Sequence, residues 1–493
     1  MINMPEVRMG VVGVSRDCFP IELAAKRLKK VIAECRKLKL NIVPCSVIVE
    51  SEADALNAAA EMEAEGVNAI TVYLGNFGPE GPSTILARIL NKPFMLTGAA
   101  EESRNSLVEG RGDAFCGMLS ACFNAQLRNQ RAYVPPRPVG LPRDVARNIA
   151  VFTDVARVGI ALSHLKIFSF GPRPQDFYAC NAPIGPLYDL GIEVMENSEL
   201  DLLDLYKSNA GRKREISAIA RDMAGELGQG NKHPEKLNPL AQYELTLTDF
   251  FEENLGSRQF GVYANKCWPA FESMFGFVPC FVNSRLAGRG IPVACEVDIY
   301  GALSEYMAQA ASMSPATILD VNNTVPPDIK IRNRKNVPRS DMFMGFHCGN
   351  SSSSLLKKGY AMKYQLIMHR LLETGKKPNI TCGTLEGRFK PGPATIFRLQ
   401  STPGGELRSY MAEGHVIDAD PSSFGCIGIF GIRDFARFYR YVLLEKAFPH
   451  HTAAVLKHAG SVLYESARLL GVEDINTPRT AGRLYPAENP FAT

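Results

Sequence analysis

At 493 residues, with 46% hydrophobic and 22% charged side chains, the chain has the balance of a folded protein large enough for about three cores at ~150 residues each. Its 55 Lys and Arg against 51 Asp and Glu leave a net charge of only +4, and no basic run interleaved with aromatics forms a nucleic-acid footprint, which removes nucleic acid as a partner. No stretch approaches the ~18–20 uninterrupted apolar residues that span a bilayer, and the opening "MINMPEVRMGVVGV" lacks a basic segment leading into a long apolar one, so a cytoplasmic chain without a membrane partner is expected.

The first hundred residues alternate between two periodicities. Strand patterns at "RMGVVGV", "NIVPCSVIV", "NAITVYL" and "KPFMLTG" are separated by helical patterns at "IELAAKRLKKVIAECRKL", "EADALNAAAEMEAEG" and "GPSTILARILN". Such alternation predicts a parallel sheet with helices on both faces. "GVVGVS" after the first strand lacks the G-x-G-x-x-G spacing, and no acid closes the second strand where a ribose contact needs one, so a dinucleotide is not expected. A Pro-rich piece, "YVPPRPVGLPRD", interrupts the pattern, and "LKIFSFGP" opens a second α/β unit that holds the polar loop "LGQGNKHPEKLNP". From about residue 345 short β-type runs separated by Gly and Pro predict an antiparallel barrel or sandwich, closed by a helix at "AAVLKHAGSVLYESARLLG". The fold class is therefore α/β: two Rossmann-like doubly wound domains, over 1–164 and 165–344, followed by a β-rich, barrel-like domain over 345–493.

Twelve cysteines are scattered without a C-x-x-C pair, several in apolar segments (Cys45, Cys116, Cys295), which predicts buried reduced thiols. The chemistry is expected at two acids. "GIPVACEVDIYGAL" sets Glu296 and Asp298 between a short strand and a helix. Asp298 stands where an N-cap accepts hydrogen bonds from the first helical turn; Glu296 has no such task. The helix leads to a second strand, "ATILDV", which carries Asp320 at its end. A right-handed crossover would lay the two strands parallel in one sheet, ~4.8 Å apart if adjacent or ~10 Å with one strand between, and bring Glu296 and Asp320 to the carboxyl edge where open α/β sheets bind ligands. Two carboxylates there repel unless a cation neutralises them. Oxygen ligation favours Mg²⁺ or Mn²⁺, and an added imidazole shifts the preference toward Mn²⁺ or Co²⁺. Among the eight histidines, His347 in "GFHCGN" and one of His450 and His451 in "AFPHHTAAV" have settings that suit a ligand; His164, His233, His369, His415 and His458 do not.

At these residues the chain resembles the L-fucose and L-arabinose isomerases, metal-dependent enzymes that interconvert aldoses and ketoses. The likeness lies in "KCWPAF", "LAGRGIPVACEVDIYGALS", "ATILDVNN", "FHCGNS", "KPGPATIFRL" and "FPHHTAAV", in that order, with "GNFGPEGPSTILARIL" as a fainter echo near the start. The resemblance implies that Glu296 and Asp320 are the family's two metal-binding carboxylates, that His451 is its C-terminal histidine ligand, and that His347 matches an additional histidine of the arabinose type. It implies Mn²⁺ as the cofactor, with Mg²⁺ or Co²⁺ as substitutes, a monosaccharide substrate, and a homo-oligomer, trimer or hexamer, whose active site lies near a subunit interface. Aspartate at the second position is the fucose-type choice, whereas the "HHT" doublet and the length are arabinose-like, so a 6-deoxyhexose and a pentose both stay open. Proton transfer between C1 and C2 through a cis-enediol would use Glu296 and Asp320 in interchangeable roles. Trp268 and His450 are candidate substrate contacts, with Trp268 able to stack on a row of sugar C–H groups. Glu386 and Arg388 in "TLEGRF" stand between sugar contacts and a solvated strand face. A metal-dependent sugar aldolase and a non-catalytic sugar-binding protein are the competing readings.

Overall fold

The computed structural model describes residues 3–108, 110–367, 381–478 and 484–492. His369, read above as lacking a ligand setting, lies outside them. Two compact units are present: one of Pro5–Ile160, Tyr464–Gly471 and Leu484–Thr493, the other of Met1–Met4, Ala161–Leu463 and Val472–Arg483. No helix among the described residues is long and apolar enough to cross a membrane.

The first unit carries a parallel sheet of β1 (Met9–Val14), β2 (Ile42–Pro44), β3 (Ala69–Leu74), β4 (Phe94–Ala99) and β5 (Val139–Gly140), in the order β2-β1-β3-β4-β5. β1, β3 and β4 are buried at every position, as strands covered on both faces must be. β2 is shorter than its apolar run suggested because Pro44 has no N–H to give the ladder; pairing resumes only at the bridge between Val14 and Val49. The helix Glu52–Ala64 starts at a capping box, with the Ser51 side chain accepting from the Asp54 N–H and Asp54 accepting in return.

The second unit holds two sheets. β6 (Leu165–Phe170), β7 (Glu193–Asn197), β8 (Phe260–Ala264) and β9 (Val293–Ala294) form a parallel sheet in the order β7-β6-β8-β9. The rest form a large mixed sheet: β10 (Ala316–Thr324), β11 (Met342–His347), β12 (Ala361–Tyr364), β13 (Cys382–Arg388), β14 (Gly392–Ser401), β15 (Leu407–Ile417), β16 (Cys426–Gly431), β17 (His451–Val455) and β18 (Asp474–Asn476). Within it, β16-β11-β10-β17-β14-β15 run antiparallel in sequence of neighbours, and β15 pairs back onto β16, so these strands close on themselves. Closure leaves no free edge along that ring.

The chain's path from Glu296 to Asp320 differs from expectation. β9 belongs to the parallel sheet and β10 to the closed one, where β10 lies antiparallel to β11 and β17. The reason lies in the connecting helix Ile299–Ser312, which is buried from Ile299 through Ala311. A helix returning its chain to the same sheet keeps a polar face for water. This one has none, because it packs on β8 of one sheet and on β10, β14 and β17 of the other.

Candidate functional site

Three strand ends and one loop build the site. His451 opens β17 and pairs directly with Asp320 across the antiparallel ladder; His347 closes β11 on the other side of β10. Directly opposed residues on such a ladder have Cβ atoms ~4.5–5.5 Å apart, which is why Asp320 and His451 meet. Glu296 arrives from the loop after β9, where Glu296 and Val297 both adopt left-handed backbone, at φ +54° and +55°. That conformation is costly for a β-branched residue. Hydrogen bonds from Val297 N–H to Asn265 O (2.9 Å) and from Asp298 N–H to Cys295 O (3.1 Å) hold it.

The Nε2 of His451 lies 3.4 Å from Glu296 Oε2 and 3.5 Å from Asp320 Oδ1. His347 Nε2 stands 3.7 Å from the same glutamate oxygen, and His450 Nε2 stands 3.8 Å from the same aspartate oxygen. Both of those oxygens are buried and have no hydrogen-bond partner, and neither has His347 Nδ1. Buried polar atoms are nearly always satisfied, so oxygens left open around one imidazole nitrogen make a candidate cation site. The two distances to His451 Nε2, 3.4 and 3.5 Å, stand close to the ~3.0–3.4 Å that separates donors ~2.1 Å from a common ion. Among the described residues, side chains whose ligating atoms all lie within 4.8 Å of one another group as Cys295, Glu296 and His347, as Asp320, His450 and His451, and as Cys180, Asp298 and His451; Glu296 and Asp320 fall in different groups, each near His451.

Behind His451 stands a second layer that the sequence did not reveal. Its Nδ1 lies 2.8 Å from Asp298 Oδ2, and Arg398 grips the same carboxylate through two hydrogen bonds of 2.6 and 2.9 Å. Asp298 also accepts from the Gly301 N–H at 2.8 Å and so caps the helix as expected. Asp298, Arg398 and His451 are all almost fully buried. An ionised Asp298 can only accept, so Nδ1 carries a proton; Nε2, which faces Glu296 and Asp320, would offer its lone pair to a cation that displaced its own proton. Burial works against the Asp298 charge, but Arg398 and His451 outweigh it and hold the carboxyl well below the usual range. Burial opposes Glu296 ionisation too, and His347 and His451 overcome it in the same direction. His451 itself is pushed well above an ordinary imidazole: burial disfavours its charge, while Cys180, Asp298 and Glu296 around it prevail.

These side chains open onto a cavity of about 210 Å³ walled also by Phe177, Trp268, Phe346, Cys348 and Ile367. A cavity of this order has room for a compact polyol. Trp268 and His450 both line it, and Phe177 meets each edge-on, at ring separations of 6.4 and 5.3 Å. Phe177 was missed; the signal was available in "GPRPQDFYACN", a Gly- and Pro-rich loop at the carboxyl end of β6. Glu386 and Arg388 do not line this cavity: Glu386 pairs with Lys363 at 3.0 Å and Arg388 with Asp420 at 2.8 Å. The thiol expectation holds for Cys45 and Cys295, which are buried, and fails for Cys116, which is exposed on a helix whose outer face is apolar.

Two family models match the chain: the fucose/sulfoquinovose isomerase N-terminal domain over residues 10–163 and the L-fucose isomerase C-terminal domain over residues 345–476. The chain belongs to the fucose isomerase family. Sulfoquinovose isomerase from Priestia aryabhattai is 26% identical over 325 residues, 65% of this chain and 66% of that one. The protein of that name from Alkalicoccus urumqiensis is 26% identical over 313 residues, 62% of this chain and 64% of its own. That from Clostridium sp. (strain MSTE9) is 24% identical over 286 residues, covering 57% and 58%. The chain thus matches 58–66% of the length of these relatives, less than two thirds of each. His347, His450 and His451 fall within the C-terminal family match, whereas Glu296 and Asp320 lie between the two.

Proposed function

We propose that the chain is a divalent-metal-dependent aldose–ketose isomerase. The observation that carries this reading is the pair of unpartnered buried oxygens, Glu296 Oε2 and Asp320 Oδ1, both about 3.5 Å from the one nitrogen of His451 that Asp298 leaves free. Glu296, Asp320 and His451 would hold the cation, Mn²⁺ by the mixed oxygen and imidazole donor set, with His347 and His450 at its flanks. When bound, such an ion withdraws electron density from two adjacent sugar oxygens and stabilises negative charge on them. The protein's own part is proton transfer. One of the two carboxylates takes the proton from C2 of the open-chain aldose and returns it to C1, while a hydroxyl proton passes from the oxygen on C2 to the oxygen on C1, so the carbon count is unchanged. Phe177 and Trp268 close the cavity's apolar side, exclude water and seat the C–H face of the sugar.

The first substrate reading is a neutral pentose or 6-deoxyhexose of the arabinose or fucose kind, after the family's name. Sulfoquinovose, the sugar in the relatives' name, is the second reading. Incubation with Mn²⁺ in D₂O and a panel of these sugars tests both. Deuterium at C2 of one aldose, with its ketose as product, is the expected result and names the substrate. Two shorter fragments would indicate an aldolase, and no exchange at any sugar with the metal bound would overturn the proposal.

A further inference from the structure

Cys295 and Glu296 are neighbours in sequence, and neighbouring side chains on an extended chain point to opposite sides. The left-handed backbone at Glu296, φ +54°, breaks that alternation. With it, ligating atoms of Cys295, Glu296 and His347 all lie within 4.8 Å of one another. His347 Nε2 is 3.7 Å from Glu296 Oε2, and donors ~2.1–2.3 Å from a shared ion stand ~3.4–3.7 Å apart in a tetrahedron. Cys295 and His347 are 4 and 3% exposed, and neither His347 Nδ1 nor Glu296 Oε2 has a hydrogen-bond partner. The buried Asn350 donates from Nδ2 to Cys295 Sγ at 3.7 Å. An amide N–H aimed at sulfur favours the thiolate, the better acceptor, over the thiol.

Nothing in the proposed isomerisation uses this thiol. Thiolate is a soft ligand: Mn²⁺ and Mg²⁺ are held by oxygen and imidazole, whereas Zn²⁺ and Cd²⁺ take sulfur, nitrogen and carboxylate together in a four-coordinate shell. Cys267 and Cys348 line the same cavity as Glu296 and His347, so an ion approaching from that cavity meets further thiols. We propose that Cys295, Glu296 and His347 form a second cation position, for a thiophilic ion of the Zn²⁺ and Cd²⁺ kind, whose occupation withdraws Glu296 from the Mn²⁺ position and so inhibits the enzyme. As the sulfur–metal bond forms, the Cys295 thiol gives its proton to solvent. Glu296 Oε2 faces His347 and His451 alike, at 3.7 and 3.4 Å. Two dications on that one oxygen would repel strongly in a buried site, so the glutamate serves one ion or the other.

The competition rests on the proposed metal-dependent function; the thiolate bond does not, and the two are read apart without turnover. Cd²⁺ added to the full chain should raise thiolate-to-metal charge-transfer absorption in the ultraviolet, saturating at one ion per chain. Cys295→Ser should abolish that band and lower the ratio of Cd²⁺ to Mn²⁺ affinity in calorimetric titration by about 100-fold or more, as the loss of the one soft ligand predicts. Cys348→Ser, which takes a thiol from the cavity wall but not from the ligand set, should keep the band. Cys295→Ala replaces Cys295→Ser if circular dichroism shows the serine variant misfolded. In the wild type, rising Mn²⁺ should raise the apparent Cd²⁺ dissociation constant in proportion. No band with Cd²⁺, a band that survives the loss of Cys295, or Cd²⁺ binding indifferent to bound Mn²⁺ would each overturn the proposal. The band in a chain that takes up no Mn²⁺ would uphold the thiolate site and overturn the metal-dependent isomerase instead.

Discussion

Glu305 stands inside the helix Ile299–Ser312, 1% exposed, with Oε2 lacking any hydrogen-bond partner. Burial first, and the negative charge of Asp298 second, push its carboxyl up to about 8 against the pull of a backbone hydrogen bond at Ile318. Below pH 4.5 the folded and unfolded chains both hold the proton, and the group has no pH-linked effect. Above it the unfolded chain ionises while the folded chain stays protonated, so stability falls with each pH unit until about pH 8, where the loss levels off. The interval from 4.5 to about 8, at about 1.36 kcal/mol per pH unit, amounts to about 5 kcal/mol. Glu305→Gln removes this dependence. Its amide brings a buried donor that costs about 1–3 kcal/mol, but that cost is the same at every pH. Urea midpoints followed by the fluorescence of Trp268, in the same compact unit, should therefore show the variant gaining on the wild type steadily from pH 5 to pH 8. Parallel pH profiles for the two proteins would refute the reasoning and place Glu305 in contact with water.

Glu296→Gln should keep the fold while lowering turnover by about 10²–10⁴-fold and weakening Mn²⁺ binding, read by steady-state kinetics and metal analysis. Full turnover in a strong chelator, with analysis finding no bound metal, would reject the metal's part. Asp298→Asn should weaken Mn²⁺ binding by about 10–100-fold in calorimetric titration, because His451 loses the charged acceptor that fixes its tautomer and raises its basicity. The same change strands the buried Arg398 guanidinium and should cost about 3–5 kcal/mol in urea unfolding.

The parallel sheet of the first unit was legible because a strand buried on both faces and a helix with one wet face have different periods, and residues 8–98 alternate between them. The candidate site was legible only as residue types at strand ends. Glu296 and Asp320 were expected to meet as neighbours in one parallel sheet. They meet instead because Asp320 opposes His451 across an antiparallel ladder while a left-handed pair of residues swings Glu296 in from another sheet. Pairing partners and backbone handedness at Val297 leave no mark in local composition, so the route that brings both residues to His451 differs from the one expected.

Asp298 shows what local reading leaves out. Its position before the helix predicted a cap, and it is one, through Gly301. A cap needs only a carboxylate at the helix start and is satisfied at the surface. Here the carboxylate is fully buried, which an N-cap alone does not require and which would be costly without Arg398, a hundred residues further along the chain. An acid that is taken out of water, paired with a guanidinium and still turned toward an imidazole has its burial explained by that imidazole. Fixing the His451 tautomer requires an acceptor that stays charged, and the Arg398 pair keeps Asp298 in that state. The arrangement makes Arg398, which touches none of the proposed ligating oxygens, a positioning residue for the proposed cation site.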